Sequence, residues 1–139
     1  MTDVHITITG WKGHDELTII EAEGDYIIEE HRKVKESGDV DTMRHVIPKR
    51  NVHILYKILR ERCDAGVQYG YTFVVRHLLQ HYGFHEKEGM TMEQMLTAFN
   101  GGRNRARYYF KYYYYPCRVL EHFGAIQYFG KGGIMLKEK

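Results

Sequence analysis

The sequence predicts an α+β chain, and three observations predict it. Apolar and polar residues alternate with period two near the N-terminus. Apolar residues then recur at helical spacing between residues 52 and 99, and residues 125–137 carry two short apolar runs separated by glycines. The 139 residues are 43% hydrophobic and 14% aromatic, enough for one ordinary core and too apolar for a disordered chain. Cys63 and Cys117 are the only cysteines, too few for a disulfide framework and without zinc-site spacing, so a reducing cytoplasm is the expected setting. No apolar stretch approaches the roughly 20 residues that span a bilayer. The start, MTDVHITITG, has neither a basic region nor a cleavage site, so no membrane partner is expected.

The elements follow in order. Val4, Ile6 and Ile8 alternate with His5, Thr7 and Thr9, the pattern of a half-buried strand, and Gly10 and Gly13 provide a turn around Trp11. Leu17, Ile19 and Ile20 predict a second strand, and Tyr26-Ile27-Ile28 a third after the Gly24-Asp25 turn. Polar residues 35–41, with Gly38, make the best linker. The expected organisation is therefore an acidic β-rich element over 1–40 and a second domain over 41–139.

After Pro48, whose fixed φ suits a first helical turn, Val52, Leu55, Tyr56, Leu59 and Cys63 share one helix face. A second helix carries Val75, Leu78, Leu79 and Tyr82, with Thr72 as its candidate cap and Gly83 as its stop. A third begins at Thr91, with Glu93 or Gln94 able to answer the cap and Met92, Met95, Leu96 and Phe99 apolar. Asn100-Gly101-Gly102 ends it. The segment RNRARYYFKYYYYPCRVLEHF, 103–123, is helical in pattern, but Pro116 removes a hydrogen bond and crowds the preceding turn, which predicts a kink or two helices meeting near Tyr115. Gly124 closes it, and strand, glycine-rich turn and strand follow to residue 137.

Charge is unevenly placed. Residues 1–43 hold four basic and eleven acidic residues, a net −7, whereas residues 44–89 come to +4 and residues 90–139 to +5. A basic C-terminal two thirds points to a polyanion, and a solvated basic surface is the alternative.

Helix, sharp turn, basic helix and terminal hairpin in that order resemble a winged helix-turn-helix domain, and RVLEHFGAIQYFGKGGIMLK at 118–137 carries the resemblance. Leu120, Phe123, Gly124 and Ile126 match the end of that superfamily's recognition helix and its entry into the wing. The likeness spans about residues 50–137 and implies fold more strongly than function. The chain departs from the pattern between Gly102 and Val119, which is longer than a compact recognition helix and contains Pro116.

The resemblance implies contact with duplex DNA, through the basic helix and a hairpin with Lys131 at its tip, in a transcriptional regulator. The residues support it independently. Arg103, Arg105, Arg107 and Lys111 gather four cations at a helix start, where they oppose the macrodipole unless an anion is present. Arginine pairs bidentately with phosphates or guanine edges. Asn104, Tyr108, Tyr112 and Arg118 complete the candidate interface with these cations and Lys131. Six tyrosines, at 108, 109 and 112–115, cover every face of a helix, so some are expected to reach phosphates or unpaired bases. The structural alternative packs Tyr109, Phe110, Tyr113 and Tyr112 inward.

RNA is the alternative partner, because FNGGRNRARYYF and the following wing are similar to a winged-helix ribosomal small-subunit family of archaea and eukaryotes. A protein-interaction module built on the tyrosine helix is a third reading, and a homodimer is compatible with paired half-sites. No cofactor is expected. His77 and His81 share a helix face and His85 continues the spacing, yet no zincin glutamate or third ligand accompanies them, so no metal is expected. Cys117 beside Arg118 could have a lowered pKa, but no acid, base, nucleophile and stabiliser assemble, and an enzyme is not expected.

Overall fold

The computed structural model describes residues 4–9, 16–33, 40–82, 91, 93–95 and 110–138. They form a mixed α+β chain with two antiparallel sheets, divided into the compact units Met1–Arg50 and Asn51–Lys139.

The first unit is a meander of four strands, β1 (Val4–Thr9), β2 (Glu16–Glu21), β3 (Asp25–Lys33) and β4 (Val40–Pro48), paired in sequence order. The register stacks Leu17 opposite Glu30 and Met43, and Ile19 opposite Ile28 and His45, on one face. That face buries Leu17, Ile19, Tyr26, Ile28 and Ile47, together with the carboxylate of Glu30, whose Oε1 lies 3.8 Å from His45 Nε2. On the other face the His31 ring joins Thr18 Oγ1 at 3.0 Å to Thr42 Oγ1 at 3.1 Å, a polar rung across three strands.

Strand β4 runs through the end of the expected linker. Residues 40 and 41, placed in a linker, begin a nine-residue strand, and the division falls after Arg50 rather than after residue 40. The strand escaped the pattern because His45 occupies an inward position that alternation reserves for an apolar side chain, with the buried Glu30 as its neighbour. Trp11 and most of the expected linker lie outside the described residues.

Helix α1 (Lys49–Arg62) starts directly after Pro48 and buries Val52, Leu55, Ile58 and Leu59, with Cys63 beyond its end, on the face that the spacing predicted. A two-residue strand β5 (Gln68–Tyr69) leads into α2 (Tyr71–His81), which buries Val74, Val75, Leu78 and Leu79. Its cap is Gly70, without a side-chain bond, so Thr72 does not cap it. At Thr91 the expected capping box is present. The Gln94 backbone N–H donates to Thr91 Oγ1 at 3.1 Å, and Thr91 N–H donates to Gln94 Oε1 at 2.8 Å, with Met95 buried just beyond.

A π-helical turn (Phe110–Tyr114) passes into α3 (Tyr115–His122) at the junction that Pro116 demanded. Gly124, at φ 77°, ends α3, and Ala125 N–H returns to Leu120 O at 3.0 Å. Strand β6 (Ile126–Tyr128), a tight 3-10 turn (Gly130–Gly132) and β7 (Ile134–Leu136) complete the unit. The second sheet has the order β5-β7-β6, so the first strand in sequence pairs with the last.

Gly133 is fixed by geometry. Its φ of 99° suits only glycine, and a Cβ there would sit 1.8 Å from the Tyr69 carbonyl oxygen. This close approach lets β7 lie between β5 and β6.

Candidate nucleic-acid interface

Most of the basic helix start predicted to bind polyanions, Arg103, Asn104, Arg105, Arg107 and Tyr108, lies outside the described residues. Lys111 and Tyr112 are placed on the π turn and are half-buried. The Tyr112 ring meets Tyr82 edge-on at 4.8 Å, so part of its surface is already committed to α2. Lys131 occupies the middle of the 3-10 turn between β6 and β7, the tip position that the sequence assigned to it.

Arg118 does not belong to an exposed interface. It is 3% exposed, its Nε lies 3.2 Å from Glu121 Oε1, and its guanidinium sits 6.0 Å from the Tyr114 ring centroid. The reason is that residues 115–120 are all buried, so the N-terminal part of α3 presents no exposed face to a groove. The sequence placed Arg118 on the surface from its charge alone.

The tyrosine run is likewise turned inward. Tyr113 and Tyr115 are buried, and Tyr112 and Tyr114 are half-buried. Tyr113 meets Tyr71 of α2 at 5.4 Å and Tyr128 of β6 at 6.4 Å, while Tyr114 meets Tyr128 at 6.1 Å. These edge-to-face contacts join three elements into one aromatic network. Phe110, which the structural alternative packs inward, is 38% exposed.

Cys117 shows what this enclosure does to a reactive group. Burial pushes its thiol well above the usual range, Glu121 adds to the effect, and a hydrogen bond with Tyr113 and the Arg118 charge oppose it. The thiol therefore stays protonated, opposite to the lowered pKa considered from Arg118 alone. Burial also raises the Glu121 carboxyl, against the charges of Arg118 and Lys137 and a backbone N–H bond from Tyr128.

Two surfaces were not singled out from sequence. On α1, His53, Lys57 and Arg60 fall at spacings of four and three, on one exposed face. A recess of about 440 Å³ opens there, lined by His53, Tyr56, Lys57, Arg60 and Glu61. The Arg60 guanidinium lies 5.6 Å from the Tyr56 ring centroid, and Lys57 Nζ is 4.0 Å from Glu61 Oε1. The signal was available, since nearly all the polar positions of this amphipathic helix are basic. The other surface comprises Tyr69, Phe73 and His77, with ring centroids 4.9 and 4.7 Å apart in succession and Phe73 36% exposed.

No match to this chain is found among known protein families, curated proteins or solved structures. Among the described residues no group of three or more His, Cys, Asp or Glu side chains is placed to hold a metal, and no helix is long and apolar enough to cross a membrane.

Proposed function

We propose that this chain is a winged-helix protein that binds duplex DNA through its second unit, in the role of a transcriptional regulator. The observation that carries the reading is the order of its elements. Helix, short strand, helix, helical segment and hairpin occur in sequence, with the short strand pairing to the last strand of the hairpin. That order matches the winged-helix arrangement, with the turn around Lys131 as a compact wing.

Electrostatics support the same reading. The first unit carries seven basic and eleven acidic residues, a net −4, and the second thirteen and seven, a net +6, so a polyanion is drawn to the second. Because residues 113 and 115–120 are buried, the contact is assigned to 103–112 and the hairpin, with the exposed cations of α1 as an additional backbone contact. An acidic first unit suits a protein partner or a second copy better than a nucleic acid.

Fluorescence-anisotropy titration against mixed-sequence duplex DNA at several salt concentrations tests the reading. Arg105→Ala with Arg107→Ala should reduce the slope of log affinity against log salt by about one to two, because each phosphate neutralised contributes close to one counterion. An unchanged slope removes residues 103–112 from the interface. No binding at low salt removes the nucleic-acid reading altogether.

A further inference from the structure

The proposed duplex contact leaves the Tyr69–Phe73–His77 ladder unused. Phe73 is the middle rung, tilted 31° to Tyr69 and edge-on to His77, and it remains 36% exposed although a ring lies on either side. Backbone pairing and hydrogen bonds anchor its first rung. Tyr69 is paired in β5 to Ile134, and its hydroxyl accepts from Asp64 N–H at 3.0 Å and lies 3.5 Å from Asp64 Oδ2. Phe73 and His77 are one turn apart on α2.

The ladder also adjoins the hairpin. Gln68 Nε2 donates to Gly132 O at 2.7 Å, and the N-terminal strand and helix of the ladder border the 3-10 turn that carries Lys131. His77 titrates below the usual histidine range through burial first and then through the charges of Arg62 and Arg76, against a hydrogen bond from Gln80. Phe73, exposed between two half-buried rings in a unit of net +6, offers a surface suited to unpaired bases, whose faces stack on rings while their phosphates meet positive charge.

We infer that Tyr69, Phe73 and His77 form a stacking platform for unpaired nucleobases of a single-stranded nucleic acid. This rests on the nucleic-acid reading above and extends it to a second, strandedness-selective contact beside the wing. It also reassigns base stacking from the tyrosine run, whose described rings pack against α2 and β6, to rings on β5 and α2.

The test is anisotropy titration of the full chain against a labelled single-stranded 12-mer, the same sequence as duplex, and the RNA counterpart of the single strand. A 2-aminopurine placed mid-strand reports stacking. Wild type should bind the single strand and change the 2-aminopurine emission. Phe73→Ala and Phe73→Leu should each weaken single-strand binding roughly tenfold and abolish the emission change. Phe73→Tyr should restore both, and duplex affinity should stay within about twofold throughout. Thermal melting checks that the variants remain folded. Unchanged single-strand affinity in Phe73→Ala, equal losses on single strand and duplex, or wild-type behaviour of Phe73→Leu would each overturn the platform. Salt-sensitive duplex binding would then leave the proposed function standing. Absence of binding to every probe overturns both. Comparison of the DNA and RNA single strands identifies which sugar the platform prefers.

Discussion

At the scale of single residues, the most constrained position is Gly133. Its backbone, at φ 99° and ψ −146°, lies where essentially only glycine is tolerated, and any Cβ would collide with the Tyr69 carbonyl. Gly133→Ala should therefore destabilise the protein by at least about 2 kcal/mol, seen as a lowered melting temperature, since strain and displacement of β5 add. A variant as stable as the parent would mean that β7 and β5 are not so close. Cys117 gives a prediction of a different kind. Its thiol is fully buried and shifted upward, so the thiolate that reacts is scarce even at pH 9, near the ordinary thiol value of 9.0. Cys63 is buried as well. Both cysteines should resist a thiol reagent at pH 9 in the native protein and react fully in denaturant. Rapid native labelling at Cys117 would contradict the enclosure of α3. Neither effect was legible in sequence, because a glycine between strands states no distance and a cysteine beside an arginine states no burial.

Among the elements, the π turn joins a proline to a residue 65 positions away in the chain. In a π turn the Lys111 carbonyl would take the N–H five residues on, but that residue is Pro116 and has none. The Asn51 amide of α1 supplies the missing donor at 3.3 Å, which accounts for a polar side chain only 3% exposed in the core. Asn51→Leu should cost about 1–3 kcal/mol by leaving a part-buried acceptor without this donor, measured by denaturant unfolding. Parental stability in that variant would show that Lys111 O is satisfied elsewhere. The interruption near Tyr115 was legible from Pro116, and so were the stripe of α1, the Thr91–Gln94 box and the closing hairpin, because each depends on local spacing. Strand β4 and the enclosure of α3 were not. In β4 a buried Glu30 and His45 replace the apolar signal. In α3 residues 115–120 are buried whatever their polarity, so the charge of Arg118 misplaces it on the surface.

For the whole molecule, the decisive property is that opposite charges are segregated by unit, net −4 in the first and +6 in the second. The basic unit carries its exposed cations in more than one place, and α1 supplies a stripe whose His53 and Arg60 are about 10 Å apart at 1.5 Å rise per residue. A stripe of that length can follow successive phosphates without reading a base. Lys57→Ala with Arg60→Ala should therefore lower affinity for duplex and single strand alike and reduce the salt slope by about one to two, while sequence preference stays unchanged. Stability should change by no more than about 0.5 kcal/mol, because both side chains are exposed and the Lys57–Glu61 pair is a weak surface contact. The pattern separates the three surfaces by measurement. Loss on all probes marks the α1 stripe, loss confined to single strands marks the ring ladder, and a loss in duplex slope on replacing Arg105 and Arg107 marks the basic helix start. An unaltered slope in the Lys57/Arg60 variant would return the α1 face to the solvent and leave polyanion binding to residues 103–112 and the hairpin.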